Sequence, residues 1–159
     1  MPGPYPPFPR LDVLSATAEA KAAEAGVVGA ANINAFAHAY VSAEIKEFFG
    51  SVLGYSQLTA GLAYAATLPR EIVNTSNYRD GKFGDYNKDM WNNSKGVEYN
   101  PFLSGQTPEQ YAKSLLDNGE LIISENVAQQ EGRIAPFSPL TIQEDLRYLR
   151  DFLSDMVDA

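Results

Sequence analysis

The chain contains no cysteine, which excludes disulfide bonds, thiol nucleophiles and cysteine-ligated zinc sites together. Histidine is nearly as scarce, because His38 is the only one in 159 residues, and a single imidazole is a poor basis for a zinc site. A chain without thiols suits oxidising and reducing surroundings equally, so the composition leaves the cellular compartment open.

Basic residues are also few. Twelve Lys and Arg stand against 20 Asp and Glu, which gives a net charge of −8 and a pI near 4.6. The resulting field would repel a phosphate backbone and an anionic membrane surface. We therefore expect no nucleic-acid partner.

Long apolar runs are missing as well. The most apolar span, residues 51–68, is only about 18 residues long and contains Ser51, Ser56, Gln57, Thr59 and Thr67, so it predicts a buried core helix rather than a transmembrane segment. No basic segment leads into an apolar run near Met1, so no secretory signal is expected. Export without such a signal stays open.

What is present predicts a folded chain. Apolar residues make up 45% of the sequence and aromatic residues 11%, enough for one core, and a domain of this length buries about 70% of the unfolded chain's surface. Five prolines in residues 1–10 favour an extended tail. We expect a proline-rich tail over residues 1–10 and a single all-α domain over residues 11–159, built from five or six helices with long connecting loops.

Helix boundaries can be assigned from capping residues, glycines and prolines. Capping boxes at Thr107 to Gln110 and at Thr141 to Glu144 are the clearest starts. Residues 121–123 are too short and apolar to distinguish a strand from a buried connector. The predicted helices are Leu11 to Ala25, Asn32 or Asn34 to Phe49 with a stop at Gly50, Ser56 to Leu68 with a break or kink at Pro69, Asp85 to Gly96, Tyr111 to Asp117, and Thr141 to Val157; Asn74 to Gly84 and the segment from Asn100 to Thr107 are expected to be loops.

The candidate site combines His38 with the helix over residues 85–96. His38 lies on the apolar stripe of its helix, where burial disfavours a charged imidazole unless a carboxylate is near. Asp85 and Asp89 are one turn apart on the second helix, so antiparallel packing would bring one of them to His38. Asp89 is the preferred partner, because Asp85 lies near the helix N-terminus, where the helix dipole already stabilises a carboxylate.

Two interpretations of this pair remain open. In the first, His38 is a general base that Asp89 orients, as in a hydrolase acting on a small molecule or a cell-envelope component. Asp85, Asn92 and Asn93 would then bind substrate or position water. In the second, the pair is a buried structural element of a non-catalytic interaction or adaptor protein, which would hold a protein partner through its acidic surface and proline-rich tail.

Calcium is a weaker alternative. Asp85, Asn87 and Asp89 match the first three ligand positions of a calcium loop, but Met90 stands where glycine is needed and Gly96 stands where a bidentate glutamate is needed. An EF-hand is therefore not expected. A looser site could use Asp80, Asp85 or Asp89, but the leading expectation is a protein without a metal or cofactor.

Two further patterns have simpler explanations. Ser42 lies one turn after His38, but no glycine-rich elbow surrounds it, so a nucleophilic role is not expected. Tyr86, Trp91 and Tyr99 could line a sugar-binding groove, although aromatic residues at this density more often belong to a core.

Two stretches resemble a family of uncharacterised bacterial helical domains found in secreted and polymorphic-toxin-like proteins. The family pattern runs Ala-Phe-Arg-His-Ala and later Asp-x3-Asp-x3-Asn-x2-Gly. The matching residues here are Ala35 to Ala39, Asp85, Asp89, Asn93 and Gly96, and the segment from Leu115 to Leu121 also resembles the family. The resemblance covers about residues 32–123 and implies a role in bacterial secretion or competition, as an effector or toxin. The family arginine before the histidine is replaced by Ala37.

Overall fold

The computed structural model describes residues 10–73, 83–124 and 132–136, and these form an all-α arrangement with no strand. Six helices lie in the described ranges, in agreement with the predicted fold class. They are α1 (Leu11–Glu24), α2 (Ala30–Leu53), α3 (Gln57–Val73), α4 (Phe83–Gly96), α5 (Pro101–Ser104) and α6 (Pro108–Asp117).

Helix α2 is the centre of the fold, because α1, α3, α4 and α6 all pack against it. Its buried side chains therefore point in several directions rather than along one stripe. Phe36 and Ile45 are fully buried, and Phe36 stacks on Tyr40 with 5.9 Å between ring centroids. Burying one such side chain contributes about 1.5–3 kcal/mol, so α2 carries much of the core.

The first and last of the six helices match their sequence signals. In α1, Ala18 and Ala22 are fully buried and let the helix lie close to α2, and Gly26 follows its end at φ +73°. At the start of α6, the Thr107 hydroxyl accepts from the Gln110 amide while the Gln110 side chain accepts from the Thr107 amide. This is the predicted capping box, with Pro108 at the first helical position.

The predicted bounds of α2 were wrong at both ends. The helix begins at Ala30 after Gly29, and no side chain caps it; the Asn32 amide instead donates to the Val28 carbonyl. It continues past Gly50 to Leu53 and ends before Gly54. Gly50 is buried under the Tyr55 ring, where a β-carbon would lie 2.2 Å from a ring atom, so this glycine permits packing rather than terminating the helix.

Three other boundaries also differ from the prediction. Helix α3, which Ser56 caps as expected, continues through Pro69 to Val73. Helix α4 begins at Phe83, so Gly84 is helical rather than part of a loop. The segment expected to be a loop after Asn100 contains α5, whose first turn is capped by the Asn100 side chain.

Connections between consecutive helices in the described ranges are short, such as residues 25–29, 54–56 and 105–107. The expectation of long loops therefore fails for these connections. No helix in the described part of the chain is both long and apolar enough to cross a membrane, and residues 51–68 contribute to α2 and α3. The proline-rich tail over residues 1–9, most of the predicted loop over residues 74–82 and the predicted helix over residues 141–157 lie outside the described residues.

Helices α2 and α4 approach each other closely at Gly96. A β-carbon on Gly96 would lie 2.3 Å from the Ala39 carbonyl oxygen and 2.7 Å from the Ser42 β-carbon. Because any larger residue would contact backbone, glycine is needed here for the two helices to touch. This contact fixes the position of α4 against the face of α2 that carries His38.

Candidate functional site

The His38 imidazole pairs with Asp89, the partner preferred from the sequence. The Nε2 atom of His38 lies 3.3 Å from Oδ1 of Asp89, and the two side chains are 12% and 13% exposed. Because neither side chain is fully exposed, water only partly screens the attraction between imidazole and carboxylate. The apolar placement of His38 and the four-residue spacing of α4 were sufficient to predict this contact.

Asn93 occupies the other side of the same imidazole. Its Oδ1 atom lies 3.0 Å from Nδ1 of His38 and 3.1 Å from the Ser42 hydroxyl, which donates to it. Asn93 and Ser42 are buried, with 3% and 0% exposure. The structure thus brings His38, Ser42, Asp89 and Asn93 together, and we call these four residues the imidazole cluster.

Asp85 makes a different contact. Its carboxylate is 2.8 Å from Nζ of Lys88, and the same ammonium lies 3.9 Å from Oδ1 of Asp89. Lys88 therefore links the two acidic residues of the helix. Of the two carboxylates that the sequence offered to His38, Asp89 forms the ion pair and Asp85 supports Lys88.

The imidazole cluster opens into a cavity of about 540 Å³ between α1, α2, α3 and α4. His38 and Asn93 contribute to its wall, whereas Asp89 is not among the described residues that line it. The remaining wall is largely apolar, from residues such as Ile33, Val41 and Ile45. Its polar side chains are Ser15, Glu19, Asn34, His38, Thr67 and Asn93. This volume and mixed lining are typical of a small-molecule site.

Asn92, expected to bind substrate, instead holds the chain after α6. Its amide nitrogen donates to the Ile122 carbonyl at 3.0 Å, and its oxygen accepts from the Ile122 amide at 2.8 Å. Asn92 is fully buried and does not line the cavity as described. We therefore assign it a structural role. The same pair of bonds holds the connector over residues 121–123, in which Leu121 and Ile122 are buried and Ile123 is exposed.

Asn87 makes an equivalent pair of contacts that the sequence reasoning missed. Its amide nitrogen donates to the Arg133 carbonyl at 2.9 Å, and its oxygen accepts from the Ala135 amide at 2.8 Å. Asn87 and Asn92 thus fix two chain segments along α4 through side chains that satisfy buried backbone groups. Their spacing of five residues carried no recognisable signal for this role.

Lys46 was also missed. Only 3% of this residue is exposed, and its ammonium donates to the Val97 carbonyl at 2.9 Å, just beyond the end of α4. A cation at the C-terminus of a helix is attracted by the partial negative charge of the helix dipole. Burial nevertheless lowers the pKa of Lys46, since desolvation outweighs the attraction of Glu98. Lys46 therefore anchors the C-terminal end of α4, while Gly96 sets its distance from α2.

The aromatic residues considered for a sugar groove do not form one in the described structure. Tyr99 is 2% exposed and donates its hydroxyl to the Gln106 carbonyl, and the indole of Trp91 donates to the Glu120 carbonyl. The hydroxyl of Tyr99 and the indole nitrogen of Trp91 thus bind backbone carbonyls, as expected if these rings pack in the fold and do not line a groove. The side chain of Tyr86 lies outside the described residues.

Within residues 10–73, 83–124 and 132–136, no group of three His, Asp or Glu side chains is arranged to hold a metal ion. Asp80 of the alternative calcium site lies outside these ranges. The other two carboxylates of that site, on Asp85 and Asp89, lie 2.8 Å and 3.9 Å from Nζ of Lys88. The ammonium of Lys88 thus supplies the positive charge that a bound cation would otherwise provide.

The chemistry available to the imidazole cluster is proton transfer and hydrogen bonding. A histidine that lines a cavity and has a carboxylate at one ring nitrogen resembles a general acid or base with its orienting group. Both ring nitrogens have partners in the structure, so a reacting group would take over the position of the Asn93 oxygen at Nδ1.

No family model, curated protein or solved structure matches this chain.

Proposed function

We propose that this chain is a small bacterial effector-like hydrolase domain in which His38 transfers a proton to or from a ligand bound in the 540 Å³ cavity. The observation that carries the proposal is that His38 and Asn93 line the cavity, while Asp89, at Nε2 of His38, lies outside its described wall. A pair with a purely structural role has no need of a cavity in front of it.

Each member of the cluster has a distinct part in this proposal. Asp89 orients the ring and stabilises its charged form through Nε2. Asn93, at Nδ1, marks where the reacting atom of the ligand would bind and supplies an amide to hold it. The ammonium of Lys88 partly neutralises the negative charges of Asp85 and Asp89. Asn92 has no part, because the backbone of Ile122 uses its amide.

The cavity wall favours a neutral or cationic ligand. Among the described lining residues other than His38, only Glu19 carries a formal charge, and no Lys or Arg is present. Position 37 also lines the cavity. The resembling family has an arginine at the matching position, whereas Ala37 supplies no positive charge. An anionic substrate would therefore meet no counter-charge among the described lining residues.

The resemblance to bacterial toxin-like domains supplies the test. Expressed in bacteria, in the cytoplasm or directed to the periplasm, the wild-type chain should slow growth in at least one compartment. His38→Ala and Asp89→Asn should each relieve the effect while melting temperature and circular dichroism stay nearly unchanged. Asp117→Asn removes an acidic group on α6 that pairs with exposed Lys113, and it should keep wild-type toxicity. A harmless wild-type chain would contradict the effector proposal.

The alternative is a non-catalytic interaction protein, favoured by the fact that both ring nitrogens already have partners. In that case His38 contributes only stability. Its removal would strand polar groups of Asp89 and Asn93 and cost about 1–3 kcal/mol of unfolding free energy. Function would then fall only as far as folding does, so comparing the two effects in one variant separates the proposals.

A further inference from the structure

We infer that Ser42 is a positioning residue that fixes which end of the Asn93 amide faces His38. The inference deepens the proposed function, because it concerns the protonation of the same imidazole. It starts from a convergence: the Ser42 hydroxyl and the His38 Nδ1 atom both lie within 3.1 Å of one atom, Oδ1 of Asn93.

The hydroxyl favours this orientation because it donates its proton to Asn93 and not within its own helix. A serine within a helix commonly donates to the carbonyl one turn earlier, which for Ser42 belongs to His38. Here the hydroxyl is directed across to α4 instead, and its hydrogen bond goes to Asn93. Ser42 is 0% exposed, so water offers no substitute acceptor. A buried hydroxyl that donates needs an acceptor, and the Asn93 oxygen is that acceptor.

The orientation of the amide then determines the proton on His38. An amide oxygen facing Nδ1 requires that this nitrogen carry a hydrogen, since two acceptors would otherwise face each other. Nε2 faces a second acceptor, the carboxylate of Asp89. Nδ1 must therefore carry a hydrogen, which it donates to Asn93, while Nε2 lies against the Asp89 carboxylate. Ser42 thus selects, through Asn93, the ring nitrogen that carries the hydrogen.

Other charged groups around His38 do not supply this selection. On α4, Lys88 and Asp85 act through Asp89, on the Nε2 side. Helix α1 contributes Glu19 to the cavity wall, and the described lining residue of α3 is the uncharged Thr67. Among the contacts described, Nδ1 meets the oxygen of Asn93, and Ser42 bonds to that same oxygen.

The test uses the fact that His38 is the only histidine in the 159-residue sequence. In a uniformly ¹⁵N-labelled sample, a long-range ¹H–¹⁵N spectrum shows a single imidazole and reports on each ring nitrogen separately. In the wild-type protein Nδ1 should have the shift of a protonated nitrogen. In Ser42→Ala the amide can turn, and the Nδ1 signal should move toward that of an unprotonated nitrogen, with the proton retained on the Asp89 side.

Two controls make the result specific. Ser94→Ala removes another hydroxyl, one on α4 that donates to the Trp91 carbonyl, and it should leave the imidazole spectrum unchanged. In Asn93→Asp both side-chain oxygens are acceptors, so adding Ser42→Ala to that variant should no longer move the Nδ1 signal. Ser42→Cys, with a weak S–H donor, replaces Ser42→Ala should the latter not fold, and its Nδ1 signal should shift in the same direction.

A Ser42→Ala spectrum identical to wild type, or an equal shift with and without Asn93→Asp, would overturn the inference. Failure of the proposed function has a different signature. If His38→Ala leaves toxicity intact while Ser42→Ala still moves the Nδ1 signal, then Ser42 orients the amide in a site that is not catalytic.

Discussion

Replacing Gly96 with alanine should separate the two helices that build the imidazole cluster. The new β-carbon would lie 2.3 Å from the Ala39 carbonyl oxygen, which is backbone inside α2 and cannot rotate away. Overpacking of this kind costs typically 1–3 kcal/mol, and the rigid obstacle places the cost near about 3. Alanine is a better helix former than glycine by about 1 kcal/mol in a helix interior and by less at Gly96, the last residue of α4, so a net loss of at least about 2 kcal/mol is expected.

Thermal and urea unfolding, followed by circular dichroism, measure this loss. For a chain of this length about 2 kcal/mol corresponds to a fall of about 4–8 °C in melting temperature. Gly61 on α3 provides the matched control, because a β-carbon there would meet nothing within 4 Å. Gly61→Ala should raise stability by about 0.4–1 kcal/mol. If Gly96→Ala were as stable as wild type, the close contact between α2 and α4 would be refuted.

Other consequences concern the rest of α4 and the tyrosines. Asn92→Ala leaves the Ile122 amide and carbonyl without partners, so it should cost about 2–4 kcal/mol and accelerate hydrogen exchange at the Ile122 amide; unchanged exchange would contradict its structural role. Burial raises the pKa of Tyr99 and of Tyr111 from 10.0 to about 12, with smaller contributions from Glu47 and Glu98 respectively. Because these pKa values are higher in the folded chain, their stabilising effect is complete below pH 10.0 and is lost as the pH rises toward about 12. Unfolding free energy should therefore fall across that range, tyrosinate absorbance should rise with unfolding, and a flat profile would contradict the burial of these rings.

The sequence was sufficient to predict the helical fold and the His38–Asp89 contact, since both depend on periodicity. A histidine on an apolar stripe needs a carboxylate, and α4 offers one at helical spacing. The start of α5 could also have been predicted, because Asn100 and Pro101 repeat the capping signal that was recognised at Thr107 and Pro108. That error came from an overlooked signal and not from missing information.

Other features depend on tertiary contacts that local sequence does not encode. A buried asparagine has the same appearance in the sequence whether it binds a ligand or holds a backbone segment, so the bonds of Asn92 to Ile122 could not be predicted. Glycine is equally ambiguous, because it either ends a helix or admits a close neighbour. Gly50 was interpreted as a helix end, but it makes room for the Tyr55 ring, while Gly29 and Gly54, at φ +95° and +87°, flank α2.

The most direct test of the central claim measures toxicity and unfolding free energy on the same His38→Ala protein. If His38 transfers protons at the cavity, toxicity should disappear while the unfolding free energy changes by less than about 1 kcal/mol, because the cavity lets water reach the groups that His38 leaves behind. Toxicity that persists in the folded variant, or that declines only in proportion to a loss of about 1–3 kcal/mol in stability, would contradict the claim and assign His38 to structure.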